Sequence, residues 1–386
     1  MNHISKHIPS LTGIRAIAAG IVFLGHMIHF HQQDTYPIMH YGWIGVNIFF
    51  ALSGYLFTHL YADTLLQGTF SWIDYLKRRI IRIYPLTTII TLICIVSKIG
   101  VFSYGNIITH IFLIHSWFPA YRMSINAPMW SLTIEESYYL LAPFLIYSIA
   151  LLSDSVYAKL QTYASIFKKY SLFFIMIIVL WIISIAFSRG SVGLYQDMIL
   201  YWLGKWDKDA LTMTIFGRMS DFVAGMLLAL IARYFPPQKS KHGDIISSIG
   251  IMLLVFSLQF IIIQGGPNSA GLNKMTVWAF AGIPLGASIL FYGLHSGGLL
   301  NTILSSKLFI ILGESSFALY VIQFIVLPGI PNASMALQMY LESLNIHFLL
   351  AALISYMSFA FIAFIVHIAF EKPITSYLRG KCKVNT

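Results

Sequence analysis

The stretch Leu11-Thr-Gly-Ile-Arg-Ala-Ile-Ala-Ala-Gly-Ile-Val-Phe-Leu-Gly-His-Met-Ile-His-Phe30 is apolar throughout except for an arginine near its start and histidines near its end. About 20 such residues, rising 1.5 Å each, cover the roughly 30 Å hydrocarbon core of a bilayer. The stretch therefore reads as a membrane-spanning helix. It is longer than the apolar core of a typical signal peptide, and no small-residue cleavage site leads into a soluble domain, so it is expected to stay as the first span.

Runs of the same kind recur near residues 43–60, 80–99, 129–152, 171–187, 217–231, 245–263, 275–294, 308–327 and 348–370. Hydrophobic residues make up 58% of the 386 positions, charged ones 10%, and the mean hydropathy is +0.77, so lipid must be the solvent for most of the surface. The expected fold is an all-α polytopic membrane protein with ten transmembrane helices. Residues 1–386 form a single membrane domain ending in a basic cytoplasmic tail at 371–386.

A shorter run, Ile107 to Trp117, cannot cross and is expected to be a re-entrant or interfacial segment. Charge parity supports this. With ten crossings and a cytoplasmic amino terminus, Lys77, Arg78, Arg79, Arg82, Lys168, Lys169, Lys239, Lys241 and the basic tail all fall inside. An eleventh crossing would move Lys168, Lys169, Lys239, Lys241 and the tail outside. Both termini are thus placed in the cytoplasm, and the protein in the cell's inner, cytoplasmic membrane.

The net charge of +10 comes from short juxtamembrane clusters, so nucleic acid is not an expected partner. Cys94 lies in an apolar run and Cys382 in the tail, which excludes a disulfide framework or a cysteine metal cage. His29 and His31 follow His26, but nearby carboxylates are limited to Asp34, and no metal site is expected.

Polar side chains inside lipid are costly, so each needs a reason. His26 lies deep in the first span and Arg15 eleven positions earlier, about 1100° of helical rotation and about 16.5 Å of rise. The two share a face. Taken singly, Arg15 reads as a snorkelling interfacial residue and His26 as a hydrogen-bonded core residue. Their alignment favours a groove holding a long molecule lengthwise, its anionic end at Arg15 and its reactive end at His26.

Arg79 and Arg82 lie three apart at the cytoplasmic mouth of the third span, placed to grip phosphate, whereas Lys77 and Arg78 read as ordinary anchors. Glu135 and Glu136 enter the fourth span from outside. They either pair with an arginine such as Arg122 or Arg218 or bind a histidine or a sugar hydroxyl. Asp221 and Glu314 are further intramembrane carboxylates, and the outer loop 189–208 is aromatic enough to stack on a sugar or to sit in an interfacial belt.

Leu11-Thr-Gly-Ile-Arg-Ala-Ile-Ala with its arginine, ten residues and histidine, Gly45-Val-Asn-Ile-Phe-Phe-Ala-Leu-Ser-Gly54, Arg78-Arg-Ile-Ile-Arg-Ile-Tyr-Pro85 and Trp130-Ser-Leu-Thr-Ile-Glu135 together resemble the acyltransferase-3 family of membrane-bound O-acyltransferases of surface polysaccharides. Weaker echoes are 313–320 and Glu371-Lys-Pro373. The resemblance implies acyl transfer, commonly of acetyl, from acyl-CoA as co-substrate to hydroxyls of surface polysaccharides, peptidoglycan or lipid-linked glycans, and in some relatives to antibiotics or other small molecules.

It also implies that His26 and Arg15 are essential, that Arg79 and Arg82 serve the donor, and that Glu135 belongs to the active cavity. Trp130 and Ser53, in the matched stretches, are expected to contact substrate. Two positions depart from the family pattern: Asn47 stands where aspartate is common and Gln323 where histidine is. The chain looks like the stand-alone form, with no hydrolase-like domain after the tenth span.

His26 is expected to act as general base on the sugar hydroxyl or as acyl carrier, with Glu135 a candidate to orient its ring. A glycan transporter or flippase is the competing reading. Such folds show repeats with helices broken at matching positions, and no repeat of that kind is found. A homo-oligomer is compatible with the sequence.

Overall fold

The computed structural model describes residues 8–29, 41–160, 166–193, 213–237, 242–263, 274–330 and 332–381. Among them the regular structure is helical, with one isolated β-bridge between Leu327 and Ile330. The chain is all-α. Most of the aromatic loop 189–208, His31 and Asp34 lie outside the described residues.

The first expected spans form α1 (Pro9–His29), α2 (Trp43–Leu66) and α3 (Trp72–Ser97). The short run folds as α4 (Tyr104–Ile111) and a single 3-10 turn at His115–Trp117, too short to cross as expected. Then come α5 (Trp130–Leu160), α6 (Ile166–Gly193), α7 (Ile215–Tyr234), α8 (His242–Ile263) and α9 (Lys274–Ser296). The last part comprises α10 (Leu299–Leu304), α11 (Lys307–Glu314), α12 (Ser316–Ile322), α13 (Ala333–Ser343), α14 (Phe348–Val366), a π-helical segment His367–Glu371 and α15 (Lys372–Lys381). Seven helices among the described residues are long and apolar enough to span a membrane, and the apolar part of α6, Leu172–Ser188, is shorter.

The ninth expected run, 308–327, is not one continuous helix. Ser315 Oγ donates to the Ile311 and Leu312 carbonyls and Ser316 Oγ to that of Gly313, so serine hydroxyls take over helix acceptors at the junction of α11 and α12. After Ile322 the chain leaves the helix, and Leu327 and Ile330 exchange backbone hydrogen bonds across a turn. Backbone groups freed by such a break must find partners where no water is available. Here they do: Ser334 Oγ donates to the Gln323 carbonyl (2.5 Å), Asn126 Nδ2 to that of Val321 (2.9 Å), and the Val326 amide to Cys94 Sγ (3.4 Å).

The residues fall into two compact units. The first holds Asn47–Phe70 and Ile134–Thr302. Within it α8 packs along α9, and α7 against α6 and α9. Gly54 of α2 lies against the Phe222 carbonyl and Gly225 of α7 against that of Ala51, so side chains at either glycine would force the helices apart. Phe50, Phe57, Tyr138 and Phe222 stack beside that contact. Arg233 closes one end by pairing with Asp63 (2.8 Å) and Asp154 (2.7 Å).

The second unit holds Pro9–Val46, Ser71–Thr133 and Ile303–Thr386. Its α1 packs on α11, α12 and α14, and α15 lies against α3. Buried in it, His110 and His115 stack with ring centroids 3.9 Å apart.

Candidate active site

α1 is seated by close backbone contact. Gly13 meets the Leu304 carbonyl and Gly313 meets that of Thr12, so no side chain fits at either glycine. One turn before His26, Phe23 is wholly buried with ring centroids 5.7 Å from both Tyr356 and Phe359 of α14. The next residue, Met27, is also buried. These contacts fix the rotation of α1, leaving Arg15 and His26 half-buried on their common face.

The His26 ring stands edge-on to Phe324 (centroids 4.9 Å, 76°), and its Nδ1 lies 3.2 Å from Gln323 Oε1. Gln323 is itself buried, and its Nε2 donates to the Tyr320 carbonyl at 2.9 Å. Both partners sit at the end of α12, where the broken run delivers them. Tyr320 is held in turn: its hydroxyl donates to the Pro128 carbonyl (2.7 Å) and lies 2.6 Å from Ser131 Oγ.

Trp130 opens α5 and is buried, preceded by a 3-10 turn over Ala127–Met129 with Pro128 as its second residue. Arg79 and Arg82 are half-buried on the first turns of α3, and the Arg79 guanidinium lies over the Tyr75 ring at 5.6 Å. Ser71 caps this helix by accepting from the Asp74 amide. His26, Arg15, Arg79, Arg82 and Trp130 thus all belong to the second unit.

Ser53 and Glu135 belong to the first unit and meet there. Ser53 Oγ donates to Glu135 Oε1 at 3.1 Å, and the Tyr139 hydroxyl, one helical turn further along α5, donates to the same oxygen. Two hydroxyls thus converge on one oxygen of this side chain. Arg218, one of the arginines expected as a partner, lies 3.6 Å from Asp221. Asp221 is fully buried and accepts from Asn47 Nδ2 at 2.9 Å, so the carboxylate missing at position 47 is supplied from α7.

Sequence reasoning passed over two residues. Tyr139 sits four positions after Glu135, the spacing that places two side chains on one helix face, and that spacing was the available signal. Gln323 was noted only as a departure from histidine.

Residues 8–370 match the family model of the acyltransferase-3 acyltransferase domain. The chain belongs to the acyltransferase-3 family. Among its relatives, a Staphylococcus aureus (strain COL) protein bearing the name "Putative O-acetyltransferase" is 27% identical over 83% of this chain and 51% of its own length. The acyltransferase MdmB of Streptomyces mycarofaciens is 26% identical over 83% of this chain and 79% of its own. The O-acetyltransferase OatA of Staphylococcus aureus (strain NCTC 8325 / PS 47) is 24% identical over 92% of this chain and 57% of its own. This acyltransferase-3 chain therefore spans about half the length of the two Staphylococcus aureus relatives. No solved structure matches it.

Proposed function

We propose that the protein transfers an acyl group, acetyl in the first instance, from cytoplasmic acyl-CoA to a sugar hydroxyl of a surface polysaccharide or lipid-linked glycan, in the inner membrane with both termini cytoplasmic. Family membership and the names of the relatives support O-acyl transfer. The observation that carries the assignment of residues is His26, a half-buried imidazole held on one side by Gln323 and aligned on α1 with Arg15.

In this reading Arg79 and Arg82, with Arg15, hold the phosphates of the donor by charge-assisted hydrogen bonds. The thioester lies at His26. As the sugar oxygen attacks the thioester carbonyl, His26 takes the hydroxyl proton, the carbon–sulfur bond breaks, and the departing thiolate of CoA receives that proton. Glu135, held by Ser53 and Tyr139, and Trp130 are the side chains assigned to the acceptor.

The test uses purified protein in lipid nanodiscs with radiolabelled acetyl-CoA and a panel of glycans. The wild type should release CoA and label a glycan, and His26→Ala should lower that transfer by ~10²-fold to 10⁴-fold while remaining folded. Transfer by His26→Ala at the wild-type rate would remove the imidazole from the chemistry.

A further inference from the structure

The hydrogen bonds around Gln323 determine which nitrogen of His26 carries its proton. The Tyr320 carbonyl can only accept, so the atom of Gln323 facing it at 2.9 Å must be the amide nitrogen. The other amide atom, facing His26 Nδ1 at 3.2 Å, is then the oxygen, which also can only accept. The Nδ1 of His26 must therefore be the donor.

We infer that Gln323 is the positioning residue of His26, accepting from Nδ1–H so that the basic lone pair of the neutral ring is held on Nε2. This rests on the proposed role of His26 as base, and it assigns a duty to a position that a neutral residue had seemed to vacate. The imidazole of a general base needs an orienting acceptor on its second nitrogen, and an amide supplies the acceptor without a charge.

The surroundings hold that acceptor in place. Gln323 is buried, its own carbonyl accepts from Ser334, and the preceding residues are tied down through Val321 to Asn126 and through Tyr320 to Pro128 and Ser131. The Phe324 ring, set at 76° to the imidazole with centroids 4.9 Å apart, packs beside the His26 ring. The break after α12 thus serves to aim one amide oxygen at one nitrogen of α1.

The test compares Gln323→Met, of similar length but without the acceptor, with Gln323→Glu, which keeps an oxygen toward Nδ1. Proteins carrying ¹⁵N-labelled histidine in nanodiscs would report the tautomer, with the His26 signals assigned by their loss in His26→Ala. The expected result is a proton on Nδ1 in the wild type and in Gln323→Glu, and loss of that preference in Gln323→Met. Acetyl transfer by Gln323→Met should fall ~10²-fold in kcat with the KM for acetyl-CoA unchanged, and Gln323→Glu should recover most of it.

A wild-type ring protonated on Nε2, or a Gln323→Met protein with unaltered tautomer and kcat, overturns the inference. A wild type that never releases CoA would instead defeat the proposed function, while the nitrogen spectra still decide the tautomer.

Discussion

Replacing Tyr139 by phenylalanine removes one hydroxyl and keeps the buried ring, which packs 4.8 Å from Phe57. The lost contact is a hydrogen bond to the Glu135 carboxylate, and such bonds contribute roughly 1.5–3 kcal/mol. Glu135 is only half-buried and keeps its bond from Ser53, so the low end of that range applies. About 1.4 kcal/mol is a factor of ten in rate. Tyr139→Phe should therefore transfer acetyl about tenfold more slowly than wild type.

Ser53→Ala should lose a similar amount. Because both hydroxyls serve one oxygen, removing both should cost more than the two single losses combined, since each single variant keeps one bond that still partly orients the carboxylate. The assay is steady-state release of CoA from acetyl-CoA in nanodiscs with a glycan acceptor, alongside melting temperatures for all variants. A folded double variant with wild-type kcat and acceptor KM would refute the view that these hydroxyls hold Glu135 for its task.

Arg79→Ala should raise the KM for acetyl-CoA about tenfold or more with kcat nearly unchanged, because a phosphate contact formed equally in ground and transition states affects binding alone; unchanged donor affinity with collapsed acceptor use would reverse the assignment of sides. Stability should also depend on pH through α4 and the turn after it, which lie outside the spanning helices. Burial depresses His110 to about 4 and His115 well below its ordinary value near 6.5. The unfolded chain binds more protons than the folded one between those limits, so the contribution is complete above about pH 6.5 and is lost as pH falls toward about 4. Melting temperatures from pH 7.5 down to 4 should fall across that window, and less steeply in His110→Gln; identical slopes in the two proteins would count against a neutral buried pair.

The sequence by itself settled the helical membrane class, because an apolar run of bilayer length has few alternatives once every backbone group must be satisfied within its own segment. It also placed Arg15 and His26 on one face of α1, since helical periodicity is local. The short segment near Ile107 was legible for the same reason: its length alone forbids a crossing.

What depended on residues far apart in the chain was not legible. Hydropathy alone could not reveal that the ninth apolar run breaks at Ser315 and again after Ile322, because the groups that stabilise the second break come from Cys94, Asn126 and Ser334. Position 47 looked like a lost carboxylate until Asp221 was found beside it. Only tertiary structure brought Gln323 to His26 across 297 positions, and the direction of that hydrogen bond follows from a carbonyl that can do nothing but accept. Local periodicity fixes which way a side chain faces along its own helix, whereas the partner it meets depends on how distant segments pack.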